Sequence, residues 1–219
     1  MTAPLSTRLM TEALGTMFLL IAVVGSGIMA ERLSSGNVAL ALLANAIATG
    51  AALFAIIVSF GPVSGAHLNP AVTLIAVALN EFPRRELLPY VVVQALGAVT
   101  GVWLAHAMFA LPIIEFGTKA RTGPDQWLAE VIATLGLLLV IRGCRLHGLP
   151  TTAAAAAAYI TGAYWFTAST SFANPAVTLA RALTDTFAGI RPVDTAGFII
   201  AQGVAVVIFI PLSRRMFKG

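Results

Sequence analysis

Asn69-Pro70-Ala71-Val72-Thr73-Leu74 recurs letter for letter as Asn174-Pro175-Ala176-Val177-Thr178-Leu179 within one chain of 219 residues. Chance gives a six-residue identity rarely, and further correspondences flank it in the same order. Glu12-x-x-x-Thr16 precedes the first copy as Glu130-x-x-x-Thr134 precedes the second, and Gln94 follows the first as Gln202 follows the second. The chain is therefore a duplication. Proline at the first helical position is preorganised and loses no hydrogen bond there, and asparagine just before it caps the exposed N–H groups. Each copy of the motif thus marks the start of a helix.

Working outward, the solvent of these helices is set by composition. Only 10% of the residues are charged, 58% are hydrophobic, and mean hydropathy is +0.91. A soluble domain carries roughly a quarter of its residues as charges. No Asp, Glu, Lys or Arg occurs in Leu33–Asn80, Leu87–Ile114, Leu146–Ala180 or Thr195–Ser213. Each stretch can cross a hydrocarbon core of ~30 Å as a helix. A soluble enzyme, a nucleic-acid binder and a disordered chain are excluded. The net charge of +4 comes from basic residues flanking apolar runs, a topology signal rather than a polyanion site.

Helical spans are predicted at Thr7–Met29, Asn37–Phe60, Leu87–Phe109, Trp127–Gly143, Pro150–Phe166 and Val193–Pro211. The uncharged run Leu33–Asn80 would be ~70 Å long as one helix, so it turns back, and Gly61-Pro62 and Gly65 are the expected break. The remainder, Asn69–Leu79, is half a membrane thick, as is Asn174–Leu183 after the Ser/Thr-rich Thr167–Ala173. The expected architecture is an all-α membrane protein with six transmembrane helices and two re-entrant half-helices. It is a single membrane domain over 1–219, with repeat 1 at about 1–110, a linker at about 111–126 and repeat 2 at about 127–219. Three crossings per repeat force the second half to lie upside down relative to the first, and inverted repeats of this kind place a shared site near the midplane. Arg8, Arg84, Arg85, Arg142, Arg145, Arg214, Arg215 and Lys218 on one face, against Arg32, Lys119, Arg121, Arg181 and Arg191 on the other, favour cytoplasmic N- and C-termini. The first apolar run is read as a retained helix rather than a cleaved signal.

Two helix starts facing one point present two positive dipole ends and two amide donors. Such a site attracts the oxygen of a neutral solute and opposes cations, protons included.

The two Asn-Pro-Ala boxes, the run Ser64-Gly65-Ala66-His67-Leu68-Asn69-Pro70-Ala71-Val72-Thr73 and the opening Thr11-Glu12-Ala13-Leu14-Gly15-Thr16 resemble the major intrinsic protein family, the aquaporins and aquaglyceroporins. The resemblance covers essentially the whole chain. It implies the aquaporin fold, half-helices meeting at Asn69-Pro70-Ala71 and Asn174-Pro175-Ala176, a pore in every protomer, a homotetramer and passive transport. It also implies a selectivity filter, carried over by spacing to Thr49 in the second span, Gly162 or Thr161 in the fifth, and Ser171, or Phe172 after a one-residue shift, in the second loop. The last filter position is nearly always Arg in the family and is Val177 here.

An arginine at the constriction supplies fixed charge and donors; valine opposite Thr49 and Gly162 leaves a wider, less polar ring. Arg181 lies one turn further on, and the ~6 Å of axial displacement weighs against its standing in, even in part, for the missing arginine. Bacterial members resembling this chain, with a small second-span residue and Val in place of Arg, are associated with arsenic-resistance operons. That resemblance implies a bacterial inner-membrane channel for arsenite and methylated arsenicals, alongside water and glycerol. An ordinary water or glycerol facilitator and a proton-coupled transporter are the alternatives.

Glu12 and Glu130 are either a proton relay or acceptors for the re-entrant loops; their repetition, with no Lys or Arg partner inside the spans, favours the second. His67 on the approach to the first box lines the pore, braces the loop, or both, while His106 and His147 are expected to be incidental. The alanines 153–158 read as a close packing surface. Lone Cys144 has no disulfide partner, no metal cluster or cofactor is expected, and no nucleophile–base pair points to an enzyme.

Overall fold

The structure is a computed structural model describing residues 3–217, so Lys218 lies outside the described residues. Six long helices and two short ones follow in the order α1 Leu5–Leu33, α2 Val38–Ser64, α3 Pro70–Ala78, α4 Leu87–Met108, α5 Pro124–Cys144, α6 Leu149–Phe166, α7 Pro175–Arg181 and α8 Thr195–Met216. Five of the long helices are both long and apolar enough to cross a membrane. The sixth, α6, has 18 residues, and its alanines, threonines and tyrosines make it the least apolar. The short helices α3 and α7 begin at Pro70 and Pro175, each with its preceding asparagine as N-cap.

Packing obeys the duplication. Within the first half α1 packs on α2 and α4, and α3 on α4; within the second, α5 packs on α6 and α8, and α7 on α8. Across the halves α2 meets α6, α3 meets α7, and the short helices exchange partners, α7 against α4 and α3 against α8. Helices exchanged in this manner are related by a two-fold axis, the inverted repeat.

Three features depart from the sequence reading. Gly61-Pro62 does not break α2, which runs on to Ser64 with Pro62 inside it. Gly61 packs close against Leu149, whose methyls would lie 2.7–2.8 Å from an added Cβ. The break comes at Gly65, the other expected breaker, whose φ of 91° is in the left-handed region and whose N–H closes on the Gly61 carbonyl. Residues 124–126, expected in the linker, are helical because Pro124 opens α5 at its first turn. His106 is no incidental residue: it is fully buried, with one ring nitrogen 2.6 Å from the Pro112 carbonyl and the other 2.7 Å from Thr184 Oγ1, pinning the linker to the second half.

Small residues let α1 and α4 touch. A Cβ on Gly97 would lie 2.2 Å from the Ala13 carbonyl, and one on Gly101 2.3 Å from that of Met17, so backbone meets backbone along one ridge. On α6, Ala153, Ala156 and Ala157 are buried while Ala154 and Ala158 are exposed; the polyalanine run uses one face only.

Candidate pore

Each re-entrant loop hangs on one carboxylate. Glu12 Oε1 accepts from Ser64 Oγ at 2.7 Å and the His67 N–H at 3.0 Å, while Oε2 accepts from the Leu68 N–H at 2.7 Å and Gln94 Nε2 at 2.8 Å. Glu130 repeats the pattern with Ser169 Oγ at 2.6 Å, the Phe172 N–H at 2.8 Å, the Ala173 N–H at 2.9 Å and Gln202 Nε2 at 2.7 Å. Both carboxylates are fully buried. Four donors each satisfy a group that would otherwise be costly in lipid. They also offset backbone strain, since Ala66, Leu68, Ser171 and Ala173 all have positive φ, between 45° and 53°. Ser64 and Ser169, five residues before each box asparagine, belong to this cradle; the constant offset between the two copies was the signal for them.

The asparagines close the arrangement. Asn69 Oδ1 accepts from the Ala71 N–H at 2.9 Å; Asn174 Oδ1 accepts from those of Ala176 and Val177 at 3.0 and 3.3 Å. Their amide groups cross: Asn69 Nδ2 donates to the Ala173 carbonyl and Asn174 Nδ2 to the Leu68 carbonyl, both at 2.8 Å. Each amide retains a second hydrogen, and both asparagines line the same cavity.

That cavity, about 530 Å³, is bordered at one end by Glu81, Arg142 and Arg145 and at the other by Thr49, Tyr164, Val177 and Arg181. Glu81 is paired with both arginines at the first mouth. His67 lines the cavity, its Nδ1 3.2 Å from Thr73 Oγ1 and its ring packed on Phe82 and Tyr90, so it both lines and braces. Thr49 accepts from the Tyr164 hydroxyl at 3.3 Å. Ser171 and Phe172 both reach the cavity; the Ser171 hydroxyl has no partner, and the Phe172 ring leans on Phe198.

Gly162 and Thr161 do not line it. On α6 the lining residues are Leu149, Thr152, Ala156, Ile160 and Tyr164, one face at three- and four-residue spacing, and Thr161 instead hydrogen-bonds back to the Ala157 carbonyl beside Gly50. Counting back from Asn174 through an irregular loop pointed to the wrong turn; the helical periodicity of α6 was the usable signal.

A second cavity of about 260 Å³ lies beyond Arg181, lined by Lys119, Arg121, Asn45, Thr170, Phe187 and Arg181 among others. Arg121 is held by the carbonyls of Gly189 and Ser169. Burial lowers its pKa to about 10, leaving it a cation at neutral pH.

Comparison with known proteins fits this geometry. The family described as Major intrinsic protein matches residues 2–145. The chain belongs to that family. It is a multi-pass membrane channel protein and not an enzyme. It is 51% identical over 217 residues, 98% of its own length and 91% of the other, to the aquaglyceroporin AqpS of Rhizobium meliloti (strain 1021). It is 32% identical over 164 residues, 65% of its length and 67% of the other, to a probable aquaporin AqpM of Archaeoglobus fulgidus. The solved structure of the aquaglyceroporin from Plasmodium falciparum matches with a TM-score of 0.74 over 98% of both chains at 21% identity, which speaks to the fold.

Proposed function

We propose that this chain is a passive channel for small neutral solutes, passing water and glycerol-like polyols and, as its specialisation, arsenite and methylated arsenicals. The observation carrying the reading is that Thr49, Tyr164 and Val177, all uncharged, line the cavity where an arginine is expected beside Asn174, and that both box asparagines line it too. Oxygen-rich neutral solutes exchange water hydrogen bonds for those of Asn69, Asn174, Ser171 and Thr49, while leucine, isoleucine, valine and alanine side chains make up much of the remaining lining. Undissociated As(OH)3 has the size and hydrogen-bonding character of a small polyol. The 51% identical relative is named an aquaglyceroporin, which supports the polyol part of the reading.

Glu12 and Glu130 act as braces rather than proton carriers, because each carboxylate already accepts four donors from its own repeat. The functional unit is a homotetramer in the bacterial inner membrane with both termini cytoplasmic. Basic side chains at the Glu81 end favour this orientation: Arg8, Arg142, Arg145 and Arg214 contact Glu86, Glu81 or the Ala78 carbonyl there.

Proteoliposome flux of water, glycerol, arsenite and methylarsonate tests the reading. Uptake is expected to follow the solute gradient alone. Glycerol and water flux without arsenical flux returns the chain to an ordinary facilitator, and uptake that requires a proton gradient refutes the channel.

A further inference from the structure

Among the described residues Arg181 is the one shared by the linings of the two cavities, so its guanidinium stands where the pore opens into the outer vestibule. It is 2% exposed. Its Nε donates to the Ala188 carbonyl, and its carbon lies 3.4 Å from the centroid of the Phe172 ring. The terminal nitrogens have no acceptor among the described residues and are not among the sealed, unpartnered atoms, which leaves accessible donors turned to the cavities. Arg121, on the same Phe172 ring at 5.1 Å, spends its hydrogens on Ser169 and Gly189, and Lys119 donates to the Phe187 carbonyl over the Phe187 ring. No carboxylate of the described residues lines the vestibule.

We propose that Arg181 is the specificity-determining residue of the outer mouth. Set one helical turn outward of Val177, it excludes cations and donates hydrogen bonds to the oxygens of entering neutral solutes. The proposal rests on the channel reading above and adds to it where the selecting charge resides. Phe172 fixes the plane of the guanidinium and Ala188 its direction, so the free donors are preorganised and cost little ordering entropy when a solute arrives. Lys119 and Arg121 add positive potential of the same sign in a confined, partly desolvated space, where charges are weakly screened. The Val177 ring then discriminates by size and polarity alone, and charge is sorted before a solute reaches it.

The experiment compares potassium and proton leak with glycerol flux in proteoliposomes carrying wild type, Arg181→Gln and Arg181→Lys. Removing one unit charge from a confined mouth is expected to raise cation leak roughly tenfold or more. In Arg181→Gln, glycerol flux should fall severalfold with the lost donors while staying measurable, and Arg181→Lys should remain cation-tight. Arg181→Cys in a Cys144→Ser background adds a within-protein comparison: attaching a positively charged thiol reagent should close the leak, and a neutral methylating reagent should not.

A cation-tight Arg181→Gln that still conducts glycerol overturns the proposal. So does equal leak from the Gln and Lys variants, or failure of both to insert, since either outcome assigns Arg181 a merely structural role. A wild type that conducts no glycerol refutes the channel reading instead, while the cation comparison still decides the role of Arg181.

Discussion

At the level of single residues, Val177 and the two buried glutamates give opposite kinds of prediction. Val177→Arg places a long cation in a ring that now holds Thr49 and Tyr164, and glycerol and arsenite flux should fall roughly tenfold or more, a barrier increase of ~1.4 kcal/mol, while water flux falls less. Stopped-flow light scattering with each solute reads the ratio. Unchanged polyol flux would mean that Val177 does not face the narrowest point. Glu130→Gln changes stability rather than selectivity. A glutamine has one acceptor oxygen where the carboxylate offers two, and its NH2 would confront the N–H groups of Phe172 or Ala173. Each buried donor left unpaired costs about 1–3 kcal/mol, so thermal melting in detergent should fall by several degrees, with Glu12→Gln matching it through the symmetric cradle. A proton relay would instead show normal melting and a lost dependence on pH gradient.

Among the elements, the seam between α1 and α4 is the sharpest constraint. Gly97→Ala drives a methyl to 2.2 Å from the Ala13 carbonyl, where neither backbone can yield without parting the helices. Destabilisation of about 1–3 kcal/mol is expected, read by denaturant titration of helicity, and because Ala13 adjoins Glu12, solute flux should drop with it. A Gly97→Ala variant of wild-type stability would contradict the close approach. Element types were legible from sequence because charge-free runs and the Asn-Pro pair are local signals. What was illegible depended on partners. Pro62 lies inside α2 beside Gly61, which packs on Leu149 from the other half, and Tyr164 rather than Gly162 faces the cavity because the turn count through 167–173 crosses residues with positive φ that no periodicity describes. The box asparagines and glutamates could be read because each occurs twice, whereas Arg121 and Lys119, which have no repeat counterparts, came together only through the folded linker.

For the molecule as a whole, the exposed flanks of the helices are apolar, with Phe18, Leu96, Leu128, Ile200 and Val207 among the exposed side chains. In a membrane these face lipid or another protomer, and the proposed tetramer predicts a detergent-corrected mass of about four times 22.7 kDa by light scattering. A monomeric mass with full solute flux would remove the tetramer without touching the pore. The linker is fastened to the second half through Gly117 to the Ala182 carbonyl, Thr118 to Asp185 and Arg121 to Asp194, so the Arg181 end of the cavities is built by the linker and the second half together.

The crossed asparagine amides carry a consequence for biogenesis. Asn69 finds its acceptor on Ala173, 104 residues downstream, and Asn174 reaches back 106 residues to Leu68. A nascent chain that has delivered only the first half into the bilayer has one half-helix with nothing opposite it and an amide without its carbonyl. The cavity lined by both asparagines is thus complete only once the second half-helix is in place. Residues 1–110 alone should insert and leave vesicles tight to glycerol.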